Sequence, residues 1–314
     1  MPNSRSCSCE KVCLVSTIRS TVQETIHFVN YHLNIGIDEI IVFFDDPDDE
    51  AFVYLQDYAR VRLIRCDGAY WQAQGARRPT AIEDRQECNA SLALKIAAED
   101  GFQWIIHIDS DELILPKNGL KAILSACSVD VLRFAIKEAL AERDQYDSIF
   151  QATLFKERAK AERRLRSRLA MLFGCSETFL EGEYFRAHAA SKAAVRISPK
   201  ITRLNLHGPT AKAEPVVEAK TALVALLHYD CIGIDAWRTK WARRIDGSGA
   251  AVRIRPNRQK QLELFKAAYG KANDEIALYN RLYRITKYQR FVLRTLRLLT
   301  VIKLKNELFL RPKP

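Results

Sequence analysis

The chain has 314 residues, of which 48% are hydrophobic and 28% are charged. This balance is typical of a soluble globular protein and excludes a disordered chain or a coiled coil. The length suits one large domain with an appendage. The sequence contains no run of about 18 apolar residues that would predict a spanning helix. Because the first five residues also lack the apolar core of a signal peptide, we expect a cytoplasmic protein.

The positive charge is concentrated near the C-terminus. Residues 1–235 hold 29 Lys and Arg against 33 Asp and Glu, whereas residues 236–314 hold 20 against 5. We therefore predict a catalytic domain over 1–235 and a basic helical extension over 236–314. A basic segment beside a mildly acidic body favours an anionic partner: a membrane surface, a lipid-linked phosphate or a nucleic acid.

Strand and helix patterns alternate in the first third of the chain. The expected strands are β-branched or apolar runs, and the expected helices carry apolar stripes or start signals. A Thr80-x-x-Glu83 capping box predicts the start of the third helix. In chain order the predictions are a strand at Val12–Ile18, a helix at 22–33, a strand at Glu39–Phe44, a helix near 50–60, a strand at Val61–Arg65, a helix over 80–100 and a strand at 104–108.

This alternation predicts an α/β, Rossmann-like fold, a mostly parallel sheet with helices on both faces. Ligands of such sheets bind beyond the carboxyl ends of the strands. Acidic clusters at residues 45–49 and 109–112 each follow a predicted strand. We therefore expect both clusters to belong to one site.

The later part of the chain gives weaker signals. A strand is predicted over 129–136, and the basic run 156–168 is interpreted as a loop or helix over the site, or as a solvated helix face. Residues 281–311 alternate apolar and basic side chains and predict one basic amphipathic helix. Such a helix either lies on anionic lipid or packs its apolar face on the catalytic domain.

Asp109-Ser110-Asp111 carries the chemistry of the predicted site. Two carboxylates one residue apart at a strand end can hold one hard cation, and Mg²⁺ or Mn²⁺ bound in this way keeps open positions for phosphates. The cation would neutralise charge on a departing nucleoside diphosphate. The alternative is a solvated acidic turn, and the buried strand before the motif disfavours it.

Residues 104–116, which contain this motif, resemble the aspartate-any-aspartate segment of family 2-type glycosyltransferases. The chain is most similar to the branch related to the family 92 galactosyltransferases. Further similarities cover about residues 11–245 and lie at the following segments: residues 28–33, 36–43, 85–89, 206–209 and 227–230, with Trp237 and Lys240.

The resemblance implies a GT-A fold, a nucleoside-diphosphate sugar donor, with a UDP-sugar favoured, and Mn²⁺ or Mg²⁺ as cofactor. It implies that Asp111 binds the metal directly and that Asp109 contacts the ribose or acts on the metal through water. It places Asp45 or Asp46 against the base or ribose and Arg85 against the diphosphate. Arg19-Ser20-Thr21 departs from the Lys-Asn-Glu of relatives, which leaves the choice of nucleotide open.

His228 is the candidate third metal ligand, because many GT-A enzymes supply a late histidine and imidazole suits these metals. The alternative for His228 is a satisfied core histidine, and His207 and His188 are the rival ligands. A catalytic base is expected among Glu177, Glu181 and Glu183, and we select Glu181.

The resulting prediction is a metal-dependent hexosyltransferase acting on a glycan or lipid-linked acceptor, in cell-surface polysaccharide synthesis at the inner face of the membrane. One alternative is a non-catalytic relative that binds sugar nucleotides or glycans. The other is a nucleic-acid-binding protein, which the charge suggests. The sequence shows no zinc module, RNA-binding aromatic motif or helix-turn-helix spacing, so nucleic acid is not an expected partner.

Overall fold

The computed structural model describes residues 10–75, 77–157, 164–175, 184–185, 191–212, 214–247 and 256–312. The strands are β1 Val12–Ile18, β2 Glu39–Phe44, β3 Val61–Arg65, β4 Trp104–His107, β5 Glu112–Pro116, β6 Val131–Leu140, β7 Leu154–Glu157, β8 Ala193–Arg196, β9 Ile201–Asn205, β10 Gly208–Ala211, β11 Glu218–His228 and β12 Leu299–Val301.

The helices are α1 Val22–Asn34, α2 Ala51–Leu55, α3 Gly68–Ala73, α4 Ile82–Glu99, α5 Leu120–Ser125, α6 Arg164–Leu172, α7 Ile234–Ile245, α8 Pro256–Ala268, α9 Ala272–Leu282 and α10 Lys287–Thr295. Short 3-10 turns lie at Ile149–Gln151 and Asn306–Phe309. Within the described residues, no helix combines the length and the apolar character needed to cross a membrane.

Strands β3, β2, β1 and β4 lie side by side and run parallel. Strand β8 lies antiparallel between β4 and β6, so β6 runs in the direction of β4. Strand β11 is parallel to β6. The carboxyl ends of β1, β2, β4 and β11 therefore meet at one edge of the sheet. The predicted α/β class, a mostly parallel sheet with flanking helices, is confirmed.

Alternate residues of the central strands enter two separate cores. Leu14 and Val42 belong to the larger core, which α1 covers, whereas Val15 and Ile41 belong to the second core, which α4 covers. Side chains of a strand point alternately to its two faces, so a strand that is apolar at every position must be covered on both sides. This is why the central strands read as continuous apolar runs.

Two predictions about helices are wrong. Helix α2 ends at Leu55 instead of continuing to about residue 60, because the Tyr58 N–H donates to the Leu55 carbonyl in a tight turn. Helix α4 begins after Ala81 without a side-chain cap, so the predicted capping box at Thr80 does not form. The Thr80 carbonyl instead accepts a hydrogen bond from Arg85 at 2.7 Å.

The C-terminal segment is not one helix over 281–311, and this prediction is also wrong. The backbone starts a new helix, α10, where Thr286 and Gln289 form a reciprocal capping box, and a left-handed residue, Arg297 with φ 54°, follows its end. Strand β12 then pairs with β7, and the Phe309 carbonyl accepts a bond from Asn30 of α1. This segment thus adds a strand to the central sheet, and the domain boundary after residue 235 stays a prediction.

Candidate functional site

The turn between β4 and β5 carries the two aspartates. Its backbone closes through a bond from the Glu112 N–H to the Asp109 carbonyl at 3.0 Å. The buried carboxyl group of Glu112 accepts a hydrogen bond from the Asp109 backbone N–H at 2.9 Å. Apolar β4 before the turn and β5 after it lie in the core, so the turn is held from both sides. The aspartates are therefore presented at the edge of the sheet on a fixed backbone.

The end of β11 brings His228 and Asp230 to the same place. The Tyr229 N–H donates to the Asp111 carbonyl at 2.8 Å, which ties this strand end to the turn. Asp111, His228 and Asp230 each offer one ligand atom, and these atoms lie within 4.8 Å of one another. Asp111 is partly exposed, and the other two side chains are buried.

Cationic side chains complete this cluster. The Lys240 ammonium on α7 lies 2.8 Å from a carboxylate oxygen of Asp111 and 2.8 Å from one of Asp230. The second oxygen of Asp230 accepts a bond from the Arg258 guanidinium of α8 at 2.7 Å. Two elements of the predicted C-terminal extension thus supply groups to the site.

These cations control the charge state of the carboxylates. Burial raises the pKa of both Asp111 and Asp230, but Lys240 and His228 together outweigh it at Asp111, and Arg258, Lys240 and His228 together outweigh it at Asp230, so both pKa values lie below the ordinary range. Burial lowers the pKa of Lys240, and the two aspartates more than reverse that effect. Both carboxylates are therefore ionised and Lys240 is protonated at neutral pH.

Asp109 belongs to a neighbouring cluster. Its carboxylate lies 3.1 Å from the buried Lys192 ammonium and accepts a bond from Gln86 at 2.9 Å. Burial raises the pKa of nearby Glu112 to about 8. Asp109 lies outside the group formed by Asp111, His228 and Asp230. Its predicted contacts, with the ribose or with the metal through water, stay predictions.

Asp45 and Arg85 form a buried ion pair behind the turn. Arg85 donates from Nε at 2.6 Å and from Nη2 at 3.1 Å to the two oxygens of Asp45, and from Nη1 to the carbonyls of Pro79 and Thr80. The pair links the end of β2 to the segment before α4. The predicted roles of Asp45 at the base or ribose and of Arg85 at the diphosphate stay predictions.

Asp46 occupies a different position. Its side chain is 44% exposed and lies 3.9 Å from the Arg19 guanidinium. It lines a cavity of about 790 Å³. Arg19 and Asp45 line this cavity and also a cavity of about 700 Å³ that contains the other groups. Of the two alternatives predicted after β2, Asp45 is thus the one that joins the buried network.

A cavity of about 700 Å³ joins these groups. It is lined by Asp45, Arg85, Asp109, Asp111, His207 and His228, together with Asp230, Lys192, Lys240 and Arg258. One cavity therefore contains every described residue that the sequence predicted for the site, except Asp46. Glu181, the other glutamates offered as the base, and His188 lie outside the described residues.

Sequence reasoning gave no role to Asp230, Lys192, Lys240 or Arg258, although Asp230 and Lys240 are among the residues that carry the resemblance to known glycosyltransferases. A signal existed for Asp230, because it stands two residues after His228 at the end of an apolar strand. No local pattern marks Lys192, which precedes a short strand, or Arg258, which stands in a basic helix. Only the fold brings them to the site.

The cluster at Asp111 fits a divalent metal. Ligands at about 2.1 Å from an ion lie at most about 4.2 Å apart, so a group spanning 4.8 Å needs only a small closure to hold one. Two carboxylates and an imidazole suit Mn²⁺ or Mg²⁺ by their donor chemistry. For binding, Lys240 would have to give up its bond to at least one carboxylate.

Comparison with known proteins gives distant relatives, and no family model matches the chain. It is 25% identical over 245 residues to Glycosyltransferase-like At3g57200 of Arabidopsis thaliana, covering 70% of this chain and 47% of the relative. It is 24% identical over 246 residues to Glycosyltransferase-like At2g41451 of the same plant, covering 70% and 53%. The chain thus spans about half the length of these relatives. Both relatives are named as glycosyltransferase-like. The resemblance of this chain to family 2 or family 92 stays a prediction.

Solved structures show weaker similarity. HddC from Yersinia pseudotuberculosis is 11% identical with a TM-score of 0.36, over 70% of this chain and 93% of that one. S. aureus TarS 1-349 is also 11% identical, with a TM-score of 0.35, over 84% of this chain and 73% of that one.

Proposed function

We propose that this protein is a metal-dependent glycosyltransferase of GT-A type that uses a nucleoside-diphosphate sugar, with a UDP-sugar favoured. The observation that carries the proposal is the group of Asp111, His228 and Asp230, which lies beside Asp109 at the carboxyl edge of a parallel sheet and opens into a 700 Å³ cavity. The names of the two plant relatives support the same class. The acceptor we propose is a glycan or a lipid-linked glycan.

The charge balance of the site supports a diphosphate ligand. Asp109, Asp111 and Asp230 face Lys192, Lys240 and Arg258 at 2.7–3.1 Å, so the network is close to neutral. A lone dication or a lone diphosphate would leave this network with an uncompensated net charge, whereas the two together add little net charge. The network therefore favours the donor and the metal as a pair.

In the proposed reaction the metal would neutralise charge on the leaving diphosphate. Asp111, His228 and Asp230 would hold it, and Lys240 would then turn its ammonium toward the phosphate oxygens. Lys192 holds the Asp109 carboxylate in place through their ion pair. The acceptor hydroxyl would lose its proton to a carboxylate as the sugar is transferred, and Glu181 stays the proposed base.

The decisive experiment is a panel of nucleotide sugars in which release of the nucleoside diphosphate is measured with Mn²⁺, with Mg²⁺ and with excess EDTA. We expect one donor to be turned over only with metal. Asp111→Asn should remove most of that turnover while circular dichroism and the melting temperature stay close to wild type.

Full turnover of a donor by Asp111→Asn in EDTA would overturn the metal-dependent mechanism. Saturable binding of a donor by the wild type, without any turnover, would instead support the non-catalytic relative. Binding by calorimetry therefore accompanies the turnover panel.

A further inference from the structure

Helices α6 and α10 lie side by side and antiparallel. Gly174, just after α6, accepts a bond from Gln289 in the first turn of α10 at 2.8 Å. At the other end, Arg166 in the first turn of α6 donates to the Leu296 carbonyl just after α10 at 3.5 Å. Their facing sides are buried in a small separate core that includes Ala170, Cys175, Val292 and Leu293.

The outward sides of this pair carry large apolar residues. Leu165 and Leu172, seven residues apart on one stripe of α6, are 66% and 81% exposed, and Phe173 is 50% exposed. On α10, Tyr288 and Phe291 are 57% and 67% exposed. The contact between Gly174 and Gln289 brings Phe173 and Tyr288 to the same end of the pair. Clustered large apolar side chains in water mark an interaction site.

These five apolar residues and the basic residues around them form what we call the helix-pair surface. Residues 164–175 contain three arginines and residues 284–298 contain five Lys and Arg, and neither segment contains an acidic residue. Among the acidic residues that the structure describes, Asp144 pairs with Arg284 and Glu142 pairs with Arg290, so two of these eight cations have a described acidic partner. The surface therefore combines exposed aromatic and aliphatic groups with a clear positive excess.

We propose that the helix-pair surface docks on an anionic lipid bilayer. Its apolar side chains would enter the boundary between headgroups and acyl chains, and its arginines and lysines would contact the lipid phosphates. A nucleic acid would engage the positive charges but would leave the five apolar side chains in water.

The surface lies next to the proposed active site. Glu142 pairs with Arg290 of α10 and Asp144 pairs with Arg284 just before α10. The residues that follow them, Gln145, Tyr146 and Asp147, line the 700 Å³ cavity. Docking would thus place one wall of the cavity close to the bilayer. The identity of the acceptor rests on the proposed function. If the protein is a glycosyltransferase, the acceptor reaches the cavity from the membrane and is lipid-linked.

The test is flotation of the full chain with vesicles of phosphatidylcholine alone or with 30% phosphatidylglycerol, without donor or metal. We expect strong flotation with the anionic vesicles and weak flotation with the neutral ones. In 0.5 M NaCl the anionic vesicles should bind no more protein than the neutral ones, because salt screens the lipid charge. Leu172→Ser with Phe291→Ser should lower the bound fraction at limiting lipid at least about tenfold, since both side chains add buried apolar area. Arg168→Glu with Arg294→Glu should abolish the preference for anionic vesicles.

The matched control is Val53→Ser with Tyr54→Ser on α2, where the two side chains are 58% and 60% exposed. This variant should float like the wild type. A wild type that ignores anionic vesicles, or a control that loses as much binding as the Leu172 and Phe291 variant, would overturn the proposal. Because flotation uses no donor, it is independent of the proposed catalytic function. Melting temperatures of all variants show whether each one is folded.

Discussion

The ammonium group of Lys240 lies 2.8 Å from the carboxylate of Asp111 and bridges it to Asp230 at the same distance. A cation of this chain thus occupies the space between two proposed metal ligands. The arrangement has two consequences. The site is charge-balanced before any ligand arrives, and a metal that binds there has to displace or repel Lys240.

Removing Lys240 should strengthen metal binding in the absence of donor. We expect Lys240→Met to bind Mn²⁺ at least about tenfold more tightly by calorimetry, since repulsion of a dication by a nearby ammonium disappears. The control is Arg238→Met on the same helix, whose ion partners are Asp235 and Glu275. It should bind Mn²⁺ like the wild type.

If Lys240→Met binds Mn²⁺ no better and the wild type cleaves its donor in EDTA, Lys240 itself is the permanent counter-ion of the carboxylates. Mn²⁺ binding by Lys240→Met and donor cleavage in EDTA therefore distinguish two cases. In one, a metal binds after Lys240 moves away; in the other, the Lys240 ammonium takes the place of the metal.

The choice of histidine ligand can be tested separately. His228→Ala should raise the Mn²⁺ concentration needed for half-maximal activity by about 10–100-fold, a loss typical of groups that support a metal site. His207→Ala, which removes the second histidine among the described residues that line the cavity, should leave that concentration close to the wild-type value. The reverse result would make His207 the ligand and would contradict the grouping of His228 with Asp111 and Asp230.

The buried pair of Arg85 and Asp45 should contribute strongly to stability. Arg85→Met leaves the buried Asp45 carboxylate with the partly exposed Arg78 guanidinium at 3.0 Å as its remaining described cation, so we expect the free energy of unfolding in urea to fall by about 3 kcal/mol, the low end of the cost of breaking a buried ion pair. Arg62→Met removes a guanidinium that is 41% exposed beside Glu39 and Asp100 and should cost about 0–1 kcal/mol. Equal losses in the two variants would show that Arg85 does not act as a buried anchor.

His32 should make the fold sensitive to acid. Burial lowers its pKa to about 3, and its two ring nitrogens lie near the Phe28 carbonyl at 2.8 Å and the Ile114 N–H at 3.3 Å, which suits a neutral ring. The unfolded state takes up a proton near pH 6.5 and the folded state only near pH 3. The contribution of neutral His32 to the free energy of unfolding is fully present above about pH 6.5. It is lost as the pH falls from about 6.5 toward 3.

The loss approaches about 1.4 kcal/mol per pH unit well below pH 6.5 and comes to about 1.6 kcal/mol between pH 6.5 and pH 5. Urea unfolding at the two pH values measures it. His32→Leu should be less stable at pH 6.5 but should lose about 1.6 kcal/mol less on acidification. A variant with the wild-type pH dependence would show that other groups cause the acid sensitivity.

The sequence by itself determined the central strands and the acidic turn. Glu39–Phe44 is a short run of mainly apolar residues, and Val61–Arg65 is a short segment of three apolar residues and two arginines. Both lie between clear breaks, and their predicted bounds match the structure. Asp109 and Asp111 follow such a strand, and the carboxyl ends of parallel strands share one edge. Local chemistry and one topological rule were enough for this half of the site.

Tertiary structure decided the other half. Lys240 and Arg258 lie in helices whose basic residues resemble an ordinary solvated face, and only the tertiary structure, in which α7 and α8 pack on each other, brings both cations to Asp230 just after β11. The predicted helix over 281–311 was wrong because an amphipathic pattern does not show where a capping box or a left-handed residue interrupts the backbone. Contacts between residues far apart in the chain depend on the whole fold, and no local spacing records them.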